Sequence, residues 1–332
     1  MTPDEYCQQK AAASGSSFYY SFLFLPPERR RAITALYAFC REVDDVVDEG
    51  LDAQIAAADR DACRAWIREH SKSFYLSSLL LPARVREASW ALYAFCREVD
   101  DVVDEVSDPG VAATKLAWWR AELASLFAGD PHHPVTLALR PHLELGISAA
   151  RLGEIIDGME MDLRQTRYLD WAALETYCHR VAGVVGLLAA GIFGYRDART
   201  LDYARSLGIA FQLTNIIRDV GEDARKNRVY LPIEDLQKFG VPAADILQAR
   251  ETPGFRELMA FEARRARSYY ERAMQALPAT DRRAQRPGLI MAAIYRALLA
   301  EIERDGFHVL AGRTSLTPLR KFWIAWRTWA TA

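Results

Sequence analysis

Two fifteen-residue segments, Ala35–Glu49 and Ala91–Glu105, are identical letter for letter, and each carries the acidic pattern Asp-Asp-Val-Val-Asp. In the second copy, positions 93, 97, 100 and 104 step by four, three and four. On a helix that period gathers Tyr93, Arg97, Asp100 and Asp104 into one stripe. Far downstream, Gln212, Asn215, Asp219 and Asp223 step by three, four and four and form a second stripe. A chain that folds both helices must leave these stripes in water or turn them toward each other. Facing each other without cations, the paired carboxylates would raise one another's pKa and destabilise the fold. With hard divalent cations they form a cage for a diphosphate. Mg²⁺ commonly binds through one or two carboxylates plus substrate phosphates. Asp100, Asp104, Asp219 and Asp223 are therefore candidate Mg²⁺ ligands, with Asn215 lending an amide oxygen. A solvated acidic face is the ordinary meaning of one such run; two ordered runs argue against it.

Strand signals are nearly absent, and helical periodicity dominates between Pro and Gly breaks. The pattern predicts helices near 28–48, 54–69, 83–106, 111–128, 132–146, 149–165, 170–193, 197–220, 255–278, 287–311 and 316–329. The expected fold is an all-α bundle. About half of the 332 residues are hydrophobic, enough for a substantial core. The longest apolar run, 181–194, is too short to span a bilayer and reads as a buried helix. Its four glycines would admit a backbone or a ligand closely. The net charge of −2 excludes nucleic acid as a default partner. Five cysteines with no C-x-x-C pair, and no signal-peptide pattern, predict reduced thiols in the cytoplasm.

Tyr93-Ala-Phe-Cys-Arg-Glu-Val-Asp-Asp-Val-Val-Asp104, Gln212-Leu-Thr-Asn-Ile-Ile-Arg-Asp-Val-Gly-Glu-Asp223 and Arg228-Val-Tyr-Leu-Pro232 resemble the squalene/phytoene synthase family. The likeness runs from about Arg60 to Arg327. It implies a class I isoprenoid synthase bundle with a deep apolar cavity and acidic helices at its mouth. It also implies that the leader His70, Ser71, Lys72 and Ser73 reaches the substrate diphosphate. Tyr177, in Tyr-Cys-His-Arg-Val-Ala-Gly183, matches a motif whose first tyrosine is tied to carbocation chemistry, and Tyr295 matches a further position. A phenol can relay protons, and its ring face can stabilise a cation. For Tyr93 and Tyr177 a core tyrosine with a satisfied hydroxyl is the competing reading.

Arg97 and Arg218 lie on or beside the acidic stripes. Two readings fit both: a guanidinium fork on phosphate, or a salt bridge to a neighbouring carboxylate. Gln212 shares the second stripe as a substrate contact. Lys226 and Arg228 follow it and suit a flap closing over phosphate, and ordinary surface exposure explains them equally well. No dinucleotide or P-loop glycine motif occurs. The terminal run Leu319–Trp329 mixes tryptophans with cations. It reads either as a helix capping the bundle or as an interfacial helix making peripheral membrane contact.

The expected reaction is head-to-head condensation of two farnesyl diphosphates to presqualene diphosphate. The segment Arg286–Trp326 resembles that subfamily, as does the first leader, Ser14–Phe18. The second leader, His70–Phe74, resembles phytoene synthases, so phytoene formation from geranylgeranyl diphosphate is the first alternative. NADPH-dependent squalene synthesis and a non-catalytic lipid-binding or assembly role are the others. The second acidic copy runs directly into 106–127. Residues 1–55 are therefore expected to be a peripheral duplicated segment, and 56–332 the catalytic domain, with the oligomeric state left open.

Overall fold

A computed structural model describes Cys63, Ser78, residues 81–104, Val106 and residues 108–331. The first acidic copy, the predicted helix 28–48, the predicted helix 54–69 apart from Cys63, and the His70–Ser73 leader lie outside the described residues. Among the described residues no strand forms, and one isolated bridge joins Arg167 to Val229. The all-α expectation holds.

From residue 81 onward the described residues form eleven helices: α1 (Ala83–Asp104), α2 (Pro109–Ala128), α3 (Pro134–Leu139), α4 (Ala149–Arg164), α5 (Trp171–Phe193), α6 (Arg199–Arg225), α7 (Ile233–Lys238), α8 (Ala243–Leu247), α9 (Pro253–Ala276), α10 (Arg286–Arg304) and α11 (Pro318–Thr331). A 3₁₀ turn, Arg140–Leu145, continues α3. The Pro and Gly breaks act as local chemistry requires. Asp108 caps α2 by accepting from the Gly110 and Val111 amides, with Pro109 in the first turn. Gly129 ends α2 at φ 90°. Thr252 caps α9 ahead of Pro253 in the same way.

Three boundaries differ from the sequence pattern. α6 runs on to Arg225, so the whole second acidic motif is helical. α10 stops at Arg304, because Gly306 and Phe307 take positive φ and turn the chain. Two short helices, α7 and α8, follow Pro232 and Pro242 in a stretch too brief to show a period.

Two apolar cores share α5 as their wall. One joins α1, α2, α3 and α4 to α5, and includes Val99, Val102 and Val103 from the apolar side of α1. The other joins α6, α9 and α10. α5 has the length and composition of a membrane span, but it lies between these two layers. Its middle, His179–Gly183, is a π turn directly after Tyr177. Such one-residue insertions re-aim the flanking side chains.

α5 and α6 meet backbone to backbone. A Cβ on Gly186 would lie 2.3 Å from the Ala204 carbonyl oxygen, and one on Gly208 would lie 2.2 Å from that of Ala182. The expected role of a glycine on α5 is thus met at Gly186, with Gly208 as its counterpart on α6. Gly208→Ala is expected to destabilise the protein by about 1–3 kcal/mol through overpacking. Gly153→Ala, on α4 where a Cβ would meet nothing within 4 Å, should instead stabilise by about 0.5–1 kcal/mol. Urea unfolding of the two variants checks this; matching midpoints would show that the α5–α6 approach is not tight.

Candidate active site

One cavity of about 600 Å³ opens between α1, α5, α6 and α10. Its deep walls are mostly apolar or small, including Leu92, Val185, Ala189, Phe193, Leu207 and Met291. Its mouth carries Tyr93, Arg97 and Asp100 from α1 and Gln212, Asn215 and Arg218 from α6. The two predicted stripes therefore face one space. On α6, Gln212, Asn215, Asp219 and Asp223 are all half-buried, while Leu213, Ile216, Ile217 and Val220 fill the core.

The carboxylates are held by cations. Arg97 pairs with Asp100 at 3.0 Å and with Asp101 at 2.5 Å. Arg218 grips Asp219 with both ends of its fork, at 2.7 and 2.5 Å. Arg313 adds a contact to Asp219 at 2.9 Å. Across the mouth, Arg228 reaches Asp104 at 2.8 Å and Lys226 reaches it at 3.2 Å. That reach depends on Asn227, which turns the chain after α6 at φ 60°. Asparagine tolerates this left-handed region better than most residues.

The expected four-aspartate cage is not drawn together. Among the described residues, no group of three carboxylate, imidazole or thiol side chains is close enough to form a metal site. The reason is mutual repulsion, which leaves each pair clasped by arginine or lysine. The electrostatics still register the crowding. Burial, then Asp104, pushes the Asp100 carboxyl up to about 7. Burial, then Asp219, does the same for Asp223. Burial would also raise Asp104, but hydrogen bonds from Arg228 and Lys226 hold it below the usual carboxylate range.

The donor set nevertheless fits a hard divalent cation. All candidate donors are oxygens. The Asn215 Oδ1 is buried at the mouth and meets no hydrogen-bond donor among the described residues. Pairs of carboxylates suffice where substrate phosphates complete the coordination.

Tyr177 is buried, and its hydroxyl donates to Asp162 Oδ2 at 2.8 Å. Tyr230 donates to Asp162 Oδ1 at 3.1 Å. The Tyr177 ring stacks on Tyr230 at 5.3 Å and tilts against Tyr168 at 5.4 Å. Burial pushes the Asp162 carboxyl up to about 6, against the hydrogen bond from Tyr177. Burial, then the charge of Asp162, carries the Tyr177 phenol well above its ordinary value. Tyr295 lines the cavity from α10 with its ring 4.7 Å from Phe211.

Most of the predicted site residues within the described region thus gather at one cavity. Asp104, Asp219, Asp223 and Arg228 do not line it; Asp219 is tied to it through the lining residues Arg218 and Arg313. The salt-bridge reading of Arg97 and Arg218 is correct for this state of the protein. Sequence reasoning passed over Asp162, Arg313 and Lys321. Asp162 ends the run Glu160-Met-Asp162 on a helix otherwise half apolar, and that carboxylate on a core face was the available signal.

A sequence profile described as squalene/phytoene synthase matches residues 11–66 and again 67–320. A phytoene synthase from Arthrospira platensis is 36% identical over 275 residues, covering 79% of this chain and 89% of its own length. The chain belongs to the squalene/phytoene synthase family. A 15-cis-phytoene synthase from Synechocystis is likewise 36% identical, over 80% of this chain and 84% of that protein. Among solved structures, a dehydrosqualene synthase in complex with ligand superposes with a TM-score of 0.76 at 29% identity, over 82% of this chain and 96% of that one. The squalene synthase HpnC from Alicyclobacillus acidocaldarius gives 0.68 at 31% identity, over 75% and 95%. The two profile matches fall on the two halves of the repeat.

Asp162 accepts hydrogen bonds from the Tyr177 and Tyr230 hydroxyls, and its charge also acts on Asp100 and Arg228. Its removal therefore tests the tyrosine cluster and the field it adds to the mouth. Asp162→Asn should lower prenyl transfer by roughly 10²–10⁴-fold, the usual worth of a positioned proton carrier. KM and the helical circular dichroism should stay unchanged. Near-normal turnover in a folded Asp162→Asn protein would remove Asp162 from the chemistry.

Proposed function

We propose that this protein condenses two molecules of geranylgeranyl diphosphate head to head, with phytoene as product. The observation that carries the reaction class is a cavity with a charged, oxygen-rich mouth and mostly apolar walls. The choice of the longer substrate rests on the phytoene synthases among the relatives. Farnesyl diphosphate and presqualene diphosphate, the first expectation from the sequence, become the second reading. It keeps support from the likeness to the squalene synthase HpnC.

Asp100, Asp104, Asn215, Asp219 and Asp223 would hold Mg²⁺, which withdraws charge from a leaving diphosphate. The chain's own residues do the rest. Arg97, Arg218, Arg228 and Lys226, now paired with carboxylates, are the forks and charges that diphosphate oxygens would take over. The first substrate loses diphosphate and leaves an allylic cation at C1. The double bond of the second substrate attacks it. Loss of one proton then closes a cyclopropane, with the second diphosphate still attached. Departure of that diphosphate opens the ring to a cation that joins the two chains through their C1 carbons. Loss of a second proton forms the central double bond of phytoene, with no reductant consumed. The apolar walls keep water from quenching the cation.

Tyr177 is the proposed proton carrier. Its hydrogen already points to Asp162, so its oxygen can accept a proton while its own passes to the carboxylate. A carboxylate raised by burial is the better acceptor for it. Tyr93 and Tyr295 offer ring faces to the cation.

The second acidic copy forms the α1 wall of this cavity. We therefore assign activity to it, and read residues 1–55 as a peripheral duplicate beside the catalytic domain 56–332. The cytoplasm, or a membrane facing it, remains the proposed location.

Purified protein with Mg²⁺ and geranylgeranyl diphosphate should yield phytoene, and excess EDTA should abolish it. Exclusive turnover of farnesyl diphosphate to presqualene diphosphate would move the assignment to the second reading. Within the repeat, Asp100→Ala with Asp104→Ala should eliminate turnover, whereas Asp44→Ala with Asp48→Ala should leave it intact. The opposite pattern, read by product chromatography, would place the first copy in the site.

A further inference from the structure

Helix α11 turns its aromatic side outward. Leu319, Trp323, Trp326 and Trp329 are all exposed, Trp323 at 57%. Steps of four, three and three keep them on one face. Ile324 and Ala325 point the other way and pack on the core. Trp323 and Trp326 stack on each other at 5.1 Å rather than on the bundle. The helix caps the bundle through its small residues and leaves its largest apolar surface uncovered.

The charge on the helix itself has one sign. α11 contains Arg320, Lys321 and Arg327 and no acidic residue. Arg327 is exposed, and Arg320 pairs with Glu301 at 2.5 Å. At the far end, the Arg286 guanidinium lies 5.7 Å from the Trp329 ring. Arg282 and Arg283, one turn earlier in the chain, are exposed as well. Tryptophans rimmed by cations match the headgroup level of an anionic bilayer, where indole rings and basic side chains both gain. A second copy of the chain fits less well. A two-fold interface would press this patch against itself, cation against cation.

The same helix touches the active cavity, since Lys321 lines its wall together with Arg313. We propose that α11 docks this protein on anionic membrane surfaces through Trp323, Trp326 and Trp329, with the basic rim on lipid phosphates. The docked helix would set the cavity beside the bilayer, the source of an amphiphilic prenyl diphosphate and the sink for a hydrocarbon product. That purpose rests on the proposed reaction; the docking does not.

Flotation of the full chain with vesicles tests the docking. The chain should float with an equal mixture of phosphatidylcholine and phosphatidylglycerol and stay behind with phosphatidylcholine alone. Added salt should release it, and its tryptophan emission should shift to the blue on binding. The combined variant Trp323→Gln, Trp326→Gln and Trp329→Gln should lose binding by roughly tenfold or more, because each ring forfeits its apolar transfer energy. Its circular dichroism and its turnover in detergent should match the parent. Equal flotation of parent and variant would overturn the proposal. So would a parent that ignores both vesicles but runs as a dimer that the variant breaks. Parent flotation lost in the variant, with no prenyl product from either protein, would sink the proposed reaction and leave the docking standing.

Discussion

The approach of α5 to α6 is the contact on which the rest of the molecule depends. Gly186 and Gly208 remove the side chains that would hold the two backbones apart. Each helix then serves two surfaces at once. α5 closes both apolar cores, and α6 carries the second acidic stripe to the mouth while its other side fills the bundle. A wider spacing would open the cavity wall and shift Asn215 and Arg218 away from α1. The glycines thus act on catalysis through distance.

At the mouth, electrostatics sets a resting arrangement. Six or so acidic groups cannot stand together bare, so Arg97, Arg218, Arg228 and Arg313 share them out. Under the proposed function, a diphosphate with its cations would offer both halves of these pairs a new partner: metal for the carboxylates, phosphate oxygen for the guanidinium groups. The exchange conserves charge pairing, and no cation or carboxylate need be stranded. Asp100 and Asp223, raised toward neutrality by burial and like charge, are the carboxyls with most to gain from a metal.

The fold and the mouth were legible in the sequence because both are periodic. The steps 93, 97, 100, 104 and 212, 215, 219, 223 repeat the turn of a helix, and Tyr93, Arg97, Asp100, Gln212 and Asn215 from the two stripes do line one space. Proline and glycine marked the ends of α2 and α9 because they act within one turn of chain. What escaped was tertiary. Asp162 matters because Tyr177 and Tyr230 arrive from other elements. Arg313 joins Asp219 from 94 residues downstream. No local period announces either meeting. The outward tilt of the α11 tryptophans was also hidden, since a stripe of three aromatics reads the same whether it faces core or solvent.

The π turn at His179–Gly183 has a consequence for how this helix can change over time. It is an α-helix holding one residue more than its turn needs. Each residue rotates a helix by about 100°. Deleting any one of the five would restore the regular ladder and swing everything beyond it by that angle. Gly186 would then leave the Ala204 carbonyl, and a larger side chain would take its place. Tyr177, before the turn, would stay with Asp162. The insertion therefore works as a phase lock, fixing the angle between Tyr177, the proposed proton carrier, and Gly186, which lets two helices touch. A lineage that keeps Tyr177 and Gly186 must therefore also keep the number of residues between them.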